Sequence, residues 1–124
     1  MTTWTSDELD RIGGADELAI ASLRRDGTLR KPVIIWVARV GGDLYVRSAY
    51  GRTAAWFRGV QVRHEGRIDA GGIQKDVVFE DADPAAGDAI DSAYRGKYRR
   101  HGTQYVNSVT DSEARSTTIR IVPH

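Results

Sequence analysis

Leu29–Val40 reads LRKPVIIWVARV, and this stretch decides the fold. Its run VIIWV, Val33 to Val37, is apolar on both faces, which suits a strand covered on both sides. On the C-terminal side, Gly41-Gly42-Asp43 turns the chain into Leu44–Ser48, LYVRS, a further strand. On the N-terminal side stands Asp26-Gly27, the strongest short hairpin signal. Glu17–Arg24, ELAIASLR, precedes it, with Leu18, Ile20 and Ser22 on one face. That segment has some helical character, but the turn that follows makes it a strand.

Moving outward, Thr5 and Glu8 form a T-x-x-E capping box that predicts a helix over Thr5–Ile12. Thr53–Arg63 is expected to be helical, with Trp56, Phe57 and Val60 on one stripe, although Gly59 costs about 1 kcal/mol relative to Ala. Gly66–Ala70 and Ile73–Glu80 make a second hairpin around Gly71-Gly72. Asp83-Pro84 is a helix start with Pro at the first helical position, and Ile90, Tyr94 and Tyr98 carry that helix through Pro84–Arg100. The last strand is Thr117–Val122. Six short, mostly antiparallel strands and three helices predict an α+β fold. The strands should form a closed or nearly closed barrel, since closure removes exposed edges. Ile20, Ile34, Trp36, Val46, Val77, Phe79, Ile119 and Ile121 are the expected core.

The chain of 124 residues fits one domain, 1–124. With no cysteine, disulfides, thiolate metal sites and cysteine nucleophiles are all excluded. His64, His101 and His124 have no ligand spacing, so no metal site is expected. Ser48 lacks the G-x-S-x-G elbow of a serine hydrolase, and the glycine pairs fit no dinucleotide loop. The acidic start MTTWTSDELDRI differs from a signal peptide, and the longest apolar run is far short of a membrane span of ~20 residues. A cytoplasmic protein without membrane contact is expected. A net charge of +1 steers it to no particular partner.

Charge is distributed unevenly, however. Lys31, Lys75 and Lys97 are the only lysines among eighteen basic residues, so arginine dominates. Tyr45–Arg67 holds Arg47, Arg52, Arg58, Arg63 and Arg67 against one acid, Glu65. Within it Arg47-Ser48-Ala49-Tyr50-Gly51-Arg52 leaves a strand and enters a helix, a junction that offers free N–H groups and a positive dipole end. Two arginines, a hydroxyl and a close-approach glycine fit a phosphate there. A solvated connection whose arginines meet surface carboxylates is the other reading. Tyr94, Tyr98 and Tyr105 beside Arg95, Lys97, Arg99 and Arg100 read as a helix with a tyrosine core face and a basic solvated face. A nucleic-acid surface is therefore not expected there.

Three groups of residues also carry a resemblance: Asp26-Gly27-Thr28-Leu29-Arg30-Lys31-Pro32 with Ile35-Trp36-Val37, then Leu44 to Arg52, then Trp56-Phe57-Arg58. On these, Glu17–Glu80 resembles the flavin-binding split β-barrels of the pyridoxamine 5′-phosphate oxidase-like superfamily, including its deazaflavin-dependent branch. Nearly the whole chain is similar to domain-of-unknown-function family 2255. The resemblance implies a six-stranded antiparallel split barrel, a homodimer, and FMN or a deazaflavin coenzyme near the subunit interface. It places the cofactor phosphate on Arg47, Ser48, Tyr50, Gly51 and Arg52, and the ring edge near Lys31, Pro32 and Val33. Trp56 stays open between two roles, pocket wall and core residue. Gly59 stands where characterised deazaflavin enzymes often carry asparagine. Two functions lead: an oxidoreductase passing hydride between the cofactor and a small molecule, or a non-catalytic binding module for a phosphorylated small molecule or RNA. A structural dimer without cofactor is the third alternative. No catalytic acid–base pair is visible in the sequence.

Overall fold

Trp36 divides the decisive stretch in two. In the computed structural model, which describes residues 3–124, the segment forms β2 (Val33–Ile35) and β3 (Val37–Val40). The other strands are β1 (Leu18–Ser22), β4 (Asp43–Val46), β5 (Glu65–Ala70), β6 (Ile73–Asp81) and β7 (Ile119–Pro123). All pairings are antiparallel, in the order β2-β1-β5-β6-β7-β4-β3. The two outermost strands are thus joined covalently through one residue. A sheet whose edges share a residue has to curl until they meet, and the result is a nearly closed barrel with one seam. Seven strands replace the expected six because one chain segment pairs at both ends of the sheet.

The barrel interior is filled by Leu18, Ile20, Val37, Leu44, Val46, Ile68, Val77, Phe79, Ile119 and Ile121. A second cluster, Ala38, Tyr45, Ile90, Tyr94, Tyr98, Val106 and Val109, lies under two helices. β3 therefore carries apolar side chains into both clusters, as its sequence predicts. β2 does not. Helix α3 (Gly87–Tyr98) packs on β3, and β2 is a sheet edge, so Ile34 is 57% exposed and leaves the expected core.

Helix α1 (Ser6–Gly14) carries the capping box, with Thr5 accepting from the Glu8 N–H and Glu8 accepting from the Thr5 N–H. Helix α2 is Ala55–Arg63, shorter than expected because Gly51–Thr53 forms a separate turn of 3-10 helix. Asp83 caps the turn that leads into α3. Two helices were not expected, α4 (Thr103–Thr110) and α5 (Ser112–Arg115). The α4 sequence, TQYVNSVT, is rich in β-branched and small polar residues of weak helix propensity. Burial of Val106 and Val109 in the second cluster holds it in place instead.

Candidate functional site

Two adjoining cavities open where β2, the turn before it and the start of α2 meet. One is a groove of about 240 Å³ whose walls include Val33, Ile35, Trp36, Tyr50, Trp56 and Tyr105. The other, about 210 Å³, is lined by Ser22, Arg24, Arg30, Lys31 and Ala55. Val33 and Trp56 line both. The first is aromatic, the second basic.

The basic cavity is organised by the turn at Asp26-Gly27. Asp26 accepts from the Thr28 N–H at 3.0 Å and the Thr28 hydroxyl at 2.7 Å, and these bonds hold its carboxyl below the usual range. Arg24 Nη1 donates to Thr28 Oγ1 and, at 2.8 Å, to the Leu29 carbonyl, which lays Arg24 along the turn. The Arg30 N–H donates to the Ser22 carbonyl, so Arg30 leaves the strand beside Ser22. Arg30 Nε is buried with no hydrogen-bond partner among the described residues. Across from them α2 begins at Ala55 after Ala54, a cap residue without a side-chain acceptor, so its first N–H groups are free of intrahelical acceptors. Arginine, lysine, a hydroxyl and a positive helix end converge here.

Gly59 makes this approach possible. A Cβ there would lie 2.7 Å from Ser22 Oγ and 3.0 Å from Arg30 Cδ. The residue that weakens α2 by propensity is the one that admits Arg30 and Ser22 against the helix.

The expected phosphate residues are arranged differently. Arg47 is 2% exposed; its Nε donates to Thr118 Oγ1, Nη1 to Asp91 and the Val109 carbonyl, and Nη2 to the Gly87 carbonyl. Arg115 reaches the other Asp91 oxygen at 3.0 Å. Ser48 is buried, its N–H bonded to Thr117 Oγ1 and its own Oγ without a partner among the described residues. Gly51 has φ +73°, and the Glu113 side chain fills the space a Cβ would need. Arg52 donates to the Ser116 carbonyl at 2.9 Å, lies over the Phe57 ring, and lines a separate cavity with Phe57 and Arg115. In the observed arrangement these four do not line one open cradle. The Arg47 donors are taken by protein groups, Ser48 is buried, Glu113 fills the space beside Gly51, and Arg52 faces a separate cavity.

Of the nine expected site residues, Lys31, Val33, Tyr50 and Trp56 are brought to the two cavities. Arg47 borders the groove with its guanidinium engaged elsewhere, and Pro32 is exposed and lines neither cavity. Ser22, Arg24, Arg30 and Tyr105 were not anticipated. Arg24 and Arg30 stand on opposite sides of the Asp26-Gly27 turn, Arg24 opposite Thr28 and Arg30 opposite Ser22, so a hairpin reading brings both to one end of the turn. Tyr105 sits on a helix that the sequence does not announce. Among the described residues no cluster of His, Cys, Asp and Glu could hold a metal ion, and no helix is long and apolar enough to cross a membrane.

Solved structures share this architecture. A conserved hypothetical protein of Mycobacterium tuberculosis superposes with TM-score 0.63 at 10% identity, over 99% of this chain and 81% of that one. An F420 reductase gives 0.54 at 15% identity, over 94% and 90%. A FAD-binding protein of Mesorhizobium loti gives 0.53 at 15% identity, over 98% and 89%. At such identities the likeness establishes the split-barrel fold. No curated protein matches the chain. A family model, however, aligns with residues 8–121, almost the whole barrel with its helices. The chain therefore belongs to DUF2255, a family described as uncharacterized proteins conserved in bacteria.

Proposed function

We propose that this chain is a cytoplasmic redox protein that binds a flavin-type cofactor, FMN or a deazaflavin, and passes hydride between it and a small molecule. One observation carries the proposal: an aromatic groove and a basic cavity share a wall at Val33 and Trp56. That pairing suits a ligand with a planar ring at one end and a phosphate at the other. Two structural neighbours described as an F420 reductase and a FAD-binding protein support the cofactor class.

In this reading the phosphate is held by Arg24, Arg30 and Lys31, the Ser22 hydroxyl and the first N–H groups of α2, in place of the expected Arg47–Arg52 set. Trp36, Trp56 and Val33 bracket the ring, and Tyr50 and Tyr105 stand at the rim. The bound cofactor supplies the hydride chemistry. The chain's own part is to bind, to orient, and to keep water from the ring face. No side chain is assigned as a general acid or base.

A second copy of the chain is proposed to complete the groove. Val33, Ile34, Tyr50 and Tyr105, four of the five large apolar side chains exposed among the described residues, all border it, beside the free edge of β2. Light scattering should return a dimer at micromolar concentration, and a monomer would remove this part of the proposal.

The main test is optical. Purified protein should show flavin absorbance or acquire it on titration with FMN or a deazaflavin, and Arg30→Ala should weaken the binding. A protein that stays colourless with both, yet retains inorganic phosphate in the basic cavity, would select the non-catalytic module instead.

A further inference from the structure

Lys97 stands outside both cavities, on the far side of the joint that Trp36 makes. Its Nζ donates to the Val37 carbonyl at 2.9 Å and lies 4.8 Å from the centroid of the Tyr98 ring. Tyr98 stacks on Trp36, the rings 4.0 Å apart and 3° from parallel. Lys97 is therefore half-buried against β3 and bonded to a backbone carbonyl.

The other two lysines of the chain are held differently. Lys75 Nζ is 2.5 Å from the Glu8 carboxylate, and Lys31 is exposed. No ion pair among the described residues includes Lys97. The charged groups facing it are Asp16, from the segment between α1 and β1, and Arg100, which pairs with that same Asp16. Tyr98 stays neutral beside it, with its phenol pushed up to about 12 chiefly by burial. Around the same turn Arg95, Arg99, Arg100 and His101 are exposed.

We propose that Lys97 is an acylation site whose reagents are acyl phosphates. An amine whose only acceptor is a carbonyl gives up its proton more readily than one held by a carboxylate, and a phosphate-bearing reagent is drawn to the arginines beside it. Burial pushes the ammonium down to about 8; Asp16 opposes that drop and Arg100 adds to it. In the reaction the neutral amine attacks the acyl carbon and a C–N bond forms. The C–O bond to phosphorus breaks, phosphate leaves with the electron pair, and nitrogen releases its proton to water. The product amide has lost the charge but keeps one N–H for the Val37 carbonyl. Acylation would thus change the charge behind Trp36, a wall of the groove. That consequence rests on the flavin proposal; the acylation does not.

The test uses the folded wild-type chain with acetyl phosphate near neutral pH, followed by peptide mass spectrometry of Lys31, Lys75 and Lys97. At about pH 7.5 an amine with pKa near 8 is ~25% neutral, against ~0.1% for an ordinary lysine. Even with access slowed by burial, Lys97 should acetylate at least about tenfold faster than either other lysine, and urea should erase the difference. Labelling of Lys31 at an equal or greater rate would overturn the assignment, as would an advantage of Lys97 that survives unfolding. Neither outcome depends on a bound cofactor.

Discussion

Two regions of this molecule are rich in arginine, and the fold uses them in opposite ways. At the end of β4, Arg47 is enclosed, and Asp91, two backbone carbonyls and Thr118 take up its hydrogens. Across the groove, Arg24, Arg30 and Lys31 border an open cavity, and none of them is paired with a carboxylate among the described residues. The first region ties β4, α3, α4 and β7 together. The second leaves cations facing solvent beside an uncapped helix start. Residue type is much the same; what differs is whether the surrounding elements bring a carboxylate.

The largest effect should come from breaking the closed region. Asp91→Ala leaves Arg47 buried without its carboxylate and takes a partner from Arg115. A loss of about 3–5 kcal/mol is expected in urea unfolding, the usual cost of orphaning a buried charge. Replacing both partners with apolar residues, Arg47→Met with Asp91→Leu, should recover much of it, because neither charge then needs solvation inside the protein. If Asp91→Ala unfolds like the wild type, Arg47 is not structural and is free to meet a ligand after all.

Next comes the open region. Arg30→Ala should lower flavin affinity by about 1.5–3 kcal/mol, the scale of a hydrogen bond to a charged group, with little change in unfolding. Unchanged affinity in a titration would place the phosphate elsewhere.

Arg52→Ala separates the two regions most directly. As a phosphate ligand, the role expected from the sequence, Arg52 would cost as much as Arg30. With the side chain bonded to the Ser116 carbonyl over Phe57, the expected result is a loss of about 0.5–1.5 kcal/mol in stability and little change in flavin binding. Parallel titrations of the two alanine variants decide between the two roles.

Much of the fold was legible because its signals are local. The capping box at Thr5 and Glu8, the turn at Asp26-Gly27 and the Asp83-Pro84 helix start need no distant partner to be read. The failures have one physical source, since each depends on what packs against the residue. Ile34 looks like Val37 by composition, but Val37 enters the barrel interior whereas Ile34 lies exposed on the edge strand. α4 has no strong helix signal, and packing creates it. Arg47 reads as a free cation until Asp91, 44 residues away, meets it. Gly59 shows the opposite case, a local cost with a distant benefit at Ser22 and Arg30. An anion site can be proposed from residue types, but only the packed neighbours show which donors remain available.

The last expected effect is a pH dependence at Lys97, a cation that belongs to neither arginine region. Burial lowers its pKa to about 8 from an ordinary 10.5. Below about 8 both folded and unfolded chains hold the proton, and the fold bears the full cost of the buried ammonium. Between about 8 and 10.5 the unfolded chain still holds a proton that the folded chain has released. Folding should therefore become more favourable as pH rises through that window. Tyr98 acts in the reverse sense above about pH 10, because its phenol ionises first in the unfolded chain. The useful range is thus from about pH 7.5 to 9.5. Lys97→Met removes the titrating group while keeping the stem that packs on Tyr98. The Tm of the wild type should rise relative to that variant across the range, and a constant difference would show that burial does not penalise this cation.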